Sequence, residues 1–213
     1  AATILDGVGQ YDISLGNGSL TADNYDFNLV KGKLTIVKAD LTVKAEDTAR
    51  IYGDPNPDFR ASYAGFKNGE SLISSGISGT PVMLSLATPT SNVSDSTHTI
   101  YISNGSLASQ NYALNFVNGR MTINKATLAV KADDAAKIYG DINPSFTATF
   151  NGFKNGEKVS DGVFTGYPEF NTSAGTTSDV NTYTVTPVLG TLESTNYAFT
   201  YQSGVLTINK ALL

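Results

Sequence analysis

An all-β chain, built as tandem immunoglobulin-like sandwiches in an elongated array, is predicted by three observations. One stretch is written three times: NYDFNLVKGKLTIVK at 24–38, NYALNFVNGRMTINK at 111–125 and NYAFTYQSGVLTINK at 196–210. A longer block recurs at fixed spacing, since Leu41, Tyr52 and Tyr25 return 87 residues on as Leu128, Tyr139 and Tyr112, and Tyr112 returns 85 on as Tyr197. Between punctuating Gly, Pro and Asn residues, apolar and polar positions alternate with the period of a half-buried strand.

Aligning 41–71 with 128–158 gives 20 identities in 31 positions, so the chain is a duplication. Solenoid repeats run roughly 20 to 50 residues, so a period this long means tandem domains. The period divides the chain into 1–40, the C-terminal half of a truncated repeat, and two full repeats at 41–127 and 128–213. The half repeat exposes Ile13, Leu15, Tyr25, Leu29, Leu34 and Ile36 unless something covers them. Either its opening half was lost or strands are shared across the repeat boundary.

Within a repeat, 41–45 reads as a short strand and 50–53 leads into the corner Asp54-Pro55-Asn56-Pro57, where proline lacks a ladder donor. Phe59, Ala61 and Tyr63 alternate with polar neighbours as a half-buried strand. Residues 65–69 form a turn, and 70–74 could add one helical turn. Val82, Leu84 and Leu86 make the next strand, 88–97 a polar loop, and 98–103 a further strand. The thrice-written stretch closes the repeat as two apolar runs around Gly32, Gly119 or Gly204, the signal for a β-hairpin. Tyr112 opens its penultimate strand, where a sandwich can use a tyrosine hydroxyl to tie a corner. A β-grasp-like arrangement is the alternative, with a real helix over 67–75. The junctions at 36–41 and 123–128 carry no Gly, Pro or Ser, so one repeat runs stiffly into the next.

Charged residues are 15% of the chain and the net charge is -5, with polar uncharged residues covering the surface instead. This balance points to an extracellular setting and against nucleic acid, which needs clustered Lys and Arg. There is no Cys, so disulfides and thiolate metal sites are excluded. No apolar run approaches the ~20 residues of a membrane span. The expectation is a soluble segment whose signal or anchor lies outside it.

Ile51-Tyr52-Gly53-Asp54, Asn56-Pro57, Phe59, Gly65-Phe66 and Asn68-Gly69-Glu70 recur as Ile138-Tyr139-Gly140-Asp141, Asn143-Pro144, Phe146, Gly152-Phe153 and Asn155-Gly156-Glu157. With the Asn-Tyr and Leu-Thr-Ile-x-Lys-Ala closing stretch, the chain resembles the MBG domain of the YGX type. The resemblance implies long tandem arrays in large bacterial surface and secreted proteins, adhesin-like ones among them, and carries over no catalytic residue.

His98 is the single imidazole and corresponds to Tyr183, so His-based catalysis or zinc binding lacks partners. Asp40, Glu46, Asp47, Asp54 and Asp58, with Asp133, Asp134 and Asp141 in the next repeat, gather near a domain entrance. They are the calcium candidates, but their spacing matches no calcium loop, and turn capping is the favoured reading. Tyr52-Gly53-Asp54 reads as a structural turn: a packed ring, a permissive backbone and a cap. Lys44 and Lys131 with Asn124 and Asn209 have the residue types of an isopeptide bond, which needs burial and an adjacent acid. Tyr and Phe fall mostly on alternating strand positions and read as core. The expected role is therefore non-enzymatic and free of cofactor: spacer or stalk repeats of a bacterial extracellular adhesin, each partnered by its neighbours in the chain. The alternative is that the repeats themselves bind host or matrix glycan or protein weakly and multivalently.

Overall fold

The computed structural model describes residues 2–3, 6–95 and 98–212; Ser96 and Thr97, the end of the expected 88–97 loop, lie outside them. Its strands are β1 (Gly9–Ile13), β2 (Gly32–Ile36), β3 (Ala39–Ala45), β4 (Thr48–Ile51), β5 (Ala61–Ala64), β6 (Val82–Leu84), β7 (His98–Ser103) and β8 (Tyr112–Val117). They continue as β9 (Gly119–Asn124), β10 (Ala126–Ala132), β11 (Ala135–Ile138), β12 (Ala148–Asn151), β13 (Glu169–Asn171), β14 (Thr182–Val188), β15 (Tyr197–Gln202) and β16 (Gly204–Asn209). The chain is nearly all β, with its sheets in a sandwich-like arrangement. Residues 67–75, which a β-grasp fold would fill with a helix, are turns. Their counterpart holds a single 3-10 turn, Val159–Asp161.

Two compact units form, and they do not follow the sequence repeats. The first comprises Ala1–Asp47, Asp58–Ser85 and Thr99–Arg120; the second comprises Thr48–Pro57, Leu86–His98 and Met121–Leu213. The second unit thus contains a strand, a corner and a loop of the first repeat.

In the first unit, β3 lies between β5 (antiparallel) and β8 (parallel, Ala39↔Tyr112 through Lys44↔Val117). The inward alternation of β3 buries Leu41, Val43 and Ala45 completely, and Ile100, Ile102, Leu107 and Tyr112 are buried with them. Each of the buried Leu, Val and Ile side chains contributes about 1.5–3 kcal/mol. The β6 alternation runs opposite to its apolar letters: Val82 and Leu84 are exposed and Met83 is half-buried, because the ladder Val82↔Ser103, Met83↔Ile102 fixes which face points in.

In the second unit, the sheet β12-β10-β15 faces the sheet β11-β16-β14-β13. Between them sits a core of Ala132, Ala174, Val185, Leu206 and Ile208, edged by Phe146 and Phe170. A second cluster joins Tyr52 and Ile123 of the first repeat to Ala126, Leu128 and Tyr197. Residues 50–53, expected only to lead into the corner, begin in a strand: β4 pairs in parallel with β9, Thr48↔Met121 through Ile51↔Asn124.

The closing stretch is not a hairpin. β8 pairs with β3 and β15 pairs with β10, both in parallel, whereas β16 joins β11 and β14. The chain switches sheets at Asn118 and Ser203 instead of folding back on itself. The glycine that follows is required by close approach: a Cβ on Gly119 would overlap the Ala45 carbonyl, and one on Gly204 the Ala132 carbonyl. In the first copy only β2 is a strand; residues 25–30 form none. Among the described residues they have no counterpart of β3 to pair with. Of the six apolar residues expected to be exposed, Ile13, Leu15, Tyr25, Leu29 and Leu34 are, Tyr25 by 80%, whereas Ile36 on β2 is half-buried.

Candidate functional site

The most developed constellation surrounds Tyr52-Gly53-Asp54, inside the second unit. β4 delivers Tyr52 beside β9, where its amide bonds the Asn124 carbonyl at 2.8 Å. The ring is 3% exposed and meets Tyr197 edge-on, centroids 5.6 Å apart. Both hydroxyls converge on one carboxylate. Tyr52 Oη donates to Glu157 Oε1 at 2.6 Å, while Tyr197 Oη donates to Oε2 and accepts from the Lys154 amide at 2.8 Å. Burial first, then the bond to Glu157, raises the pKa of both tyrosines above the ordinary phenol value, most strongly for Tyr197. Both therefore donate as neutral phenols.

Gly53 adopts φ 86°, and a Cβ there would overlap the Lys154 side chain. Lys154 Nζ in turn holds Asp54 Oδ1 at 2.9 Å, with side chains 37% and 41% exposed. Two contacts of Asn196 complete the closure: its Oδ1 accepts from the Val93 amide at 3.0 Å, and its Nδ2 donates to Asn92 Oδ1 at 2.8 Å. Burial of the Tyr52 ring is worth about 1.5–3 kcal/mol, against at most ~1 kcal/mol for the half-exposed ion pair. The turn is thus a latch between one repeat and the next, held mainly by its tyrosine. Within its own repeat, Tyr139, the equivalent of Tyr52, is 47% exposed.

The corner behind the latch is tied by a buried cation. Arg50 is 6% exposed; its Nε donates to Asn56 Oδ1 at 3.0 Å and its Nη2 to the Thr88 carbonyl, while Asn56 Nδ2 donates to the Ala87 carbonyl at 2.8 Å. Desolvation lowers the Arg50 pKa and Asp54 opposes it. Lys137 occupies the same place in the second repeat, bonding the carbonyls of Gly175 at 2.7 Å and Asp141 at 3.0 Å. It does not reach Asn143, whose Oδ1 is buried without a partner.

A family model, the MBG domain of the YGX type, matches residues 41–122 and 128–207. The chain belongs to this family. No curated protein matches it. Tandem MBG domains suggest a repeat region of a surface protein, and they are not an enzyme family. No helix among the described residues is long and apolar enough to cross a membrane.

The remaining residues singled out in the MBG repeats take ordinary structural places. Asp47 Oδ1 accepts from the Arg120 amide at 2.9 Å, and Asp134 Oδ1 from the Val205 amide at 2.9 Å, so this pair caps the sheet switch after Gly119 and Gly204. Asp133 accepts the hydroxyls of Thr147 and Thr149, which lower its pKa. Asp40 accepts from Asn115 Nδ2, and the Glu46 amide bonds the Arg60 carbonyl. The Asp141 amide bonds the Ile138 carbonyl. Among the described residues no three acidic or His groups gather as a metal site.

His98 Nε2 lies 3.4 Å from the Asn92 carbonyl, the role that Tyr11 and Tyr183 hydroxyls play toward Gly7 and Asp179. Lys44 is exposed beside Asp47, and Lys131 is exposed, so neither has the burial of an isopeptide lysine. Tyr112 does tie a corner: it accepts from the Lys67 amide at 2.9 Å and donates to Glu70. Glu157 and Lys154 escaped the sequence reading as partners of Tyr52. The signal was there, since Lys-Asn-Gly-Glu stands at 67–70 and again at 154–157, a repeated acid and cation with no local reason to recur.

Proposed function

We propose that these MBG repeats are spacer repeats of a bacterial extracellular adhesin, holding a binding module away from the cell. The observation that carries this reading is the latch: Tyr52-Gly53-Asp54 of one repeat closes on Lys154, Glu157 and Tyr197 of the next. A stalk needs contacts that resist bending between repeats, and side chains spent on such contacts fit that need better than they fit catalysis. The one-residue connection between β9 and β10 serves the same end.

Weak glycan binding by the repeats would favour a cluster present in both. The aromatic groove lined by Phe164, Tyr197 and Phe199 has Ile77 and Leu114 in place of the two phenylalanines in the first repeat, so it belongs to one repeat alone. Small-angle scattering tests the spacer reading. An elongated particle that becomes more flexible in Tyr52→Ala is expected; a compact particle overturns the proposal. A multimerised chain that binds a glycan array would favour the second reading.

A further inference from the structure

The first unit carries a second copy of the latch acceptor. Lys67, Glu70 and Tyr112 reproduce Lys154, Glu157 and Tyr197: the Lys67 amide donates to Tyr112 Oη at 2.9 Å, Tyr112 Oη donates to Glu70 Oε2, and Phe66 meets the Tyr112 ring edge-on at 5.8 Å. The approach is built too. The Ala39 amide bonds the Asn111 carbonyl at 3.0 Å, as Ala126 bonds Asn196 at 2.9 Å. Lys38 Nζ holds the Ser109 carbonyl at 2.8 Å, as Lys125 holds Ser194 at 2.7 Å. The Val8 amide bonds Asn111 Oδ1 at 3.1 Å, as Val93 bonds Asn196.

What differs is the donor. Glu157 holds two tyrosines, whereas among the described residues Glu70 holds only Tyr112. β2 has β1 along one edge and, among the described residues, no strand along the other, where β9 has β4 and β16 has β11. A cavity of about 330 Å³ opens at this place, lined by Ile36, Val37, Lys67, Glu70 and Tyr112.

We propose that this face of the first unit binds a strand-and-turn segment of the type Ala-Arg-Ile-Tyr-Gly-Asp, from a further repeat of the same kind, by parallel addition to β2. The occupant follows from the filled copy in the same chain. Shifting the β4–β9 register by the repeat period pairs the segment's Thr, Ala, Arg and Ile positions with Leu34, Thr35, Ile36 and Val37. The tyrosine hydroxyl then reaches Glu70 and the aspartate reaches Lys67. Main-chain bonds along β2 supply affinity, and the tyrosine and aspartate supply selection, as in other strand additions. Negative Glu70 receives a phenol donor and positive Lys67 a carboxylate, so the chemistry is complementary. The inference rests on the acceptor geometry and stands whether or not the array is a spacer.

The test uses the intact chain and a fluorescein-labelled peptide of Thr48–Pro57. Saturable anisotropy is expected, weakened at least tenfold by Tyr→Phe in the peptide or by Glu70→Gln in the chain. Because Glu157 already holds Tyr52, Glu157→Gln should leave the affinity unchanged. Circular dichroism of Glu70→Gln before titration establishes that it is folded; if it is not, Lys67→Ala read against the Asp→Asn peptide takes its place. No saturation up to about millimolar peptide overturns the proposal. So does equal binding of a scrambled peptide, or a loss seen with Glu157→Gln and not with the first-unit variants.

Discussion

Lys137 and Arg50 hold the same buried corner with different geometry, and the difference leaves a measurable defect. The guanidinium of Arg50 satisfies both Asn56 Oδ1 and a loop carbonyl, because its fork presents donors in several directions. The Lys137 ammonium donates to two carbonyls and does not reach Asn143 Oδ1, which is left unpartnered. An unsatisfied buried acceptor costs about 1–3 kcal/mol. Lys137→Arg should therefore stabilise the second repeat by about 1 kcal/mol, read as a higher urea midpoint at unchanged slope; a lower midpoint would refute the pairing. The latch tyrosines make a pH prediction. In the unfolded chain they ionise near pH 10, but in the fold Tyr52, Tyr112 and Tyr197 are held neutral to higher pH by burial and by Glu157 or Glu70. Their raised values contribute stability that is complete below pH 10 and is lost as pH rises toward the folded values. Denaturation midpoints should fall above pH 10, and Tyr197→Phe should flatten that fall; an identical slope in the variant would exclude Tyr197 as its source.

At the scale of elements, alternation located most strands of the repeat, but β4 read only as a lead into the corner and β6 turns its apolar letters outward. Partner choice was not legible. Residues 111–125 look like a hairpin because two apolar runs flank Gly119, yet β8 joins β3 across a long sequence separation. The glycine serves a close approach to Ala45 and not a tight turn. The same limit applies to the site. Tyr52-Gly53-Asp54 was visible as a repeated turn, but local patterning cannot show that its acceptor lies 105 residues away at Glu157. The first copy gives the converse lesson, since 25–30 carries the strand pattern of β8 and forms no strand without a neighbour, so pattern is permission and pairing decides. If the sheet switch depends on backbone contact, Gly204→Ala must push the Ala132 carbonyl or break the ladder at β16. A loss of about 2 kcal/mol or more is expected, in line with overpacking a filled site. Thermal melting checks this, and a variant within 0.5 kcal/mol of wild type, by the measure of ordinary surface changes, would remove the close-approach argument.

At the scale of the whole molecule, the compact units cut across the repeats: Thr48–Pro57 and Leu86–His98 of the first repeat belong with Met121–Leu213. Tyr52 and Ile123 share a cluster with Leu128 and Tyr197, so the fate of the first repeat's corner is tied to the folding of the second repeat. Leu206 tests this, being fully buried in the other cluster of the second repeat and away from the latch. Leu206→Ala should cost about 2–5 kcal/mol. If the corner depends on the second repeat, the amides of Tyr52 and Gly53, bonded to Asn124 and Pro89, should lose protection from hydrogen exchange in step with β16. Tyr52→Ala should break the linkage, so that adding Leu206→Ala to it changes the Gly53 amide no further. If protection at Tyr52 and Gly53 stays at its wild-type level in Leu206→Ala, the corner is held by the first repeat alone. The latch would then be a contact between independently folding bodies, with no part in a shared cooperative unit.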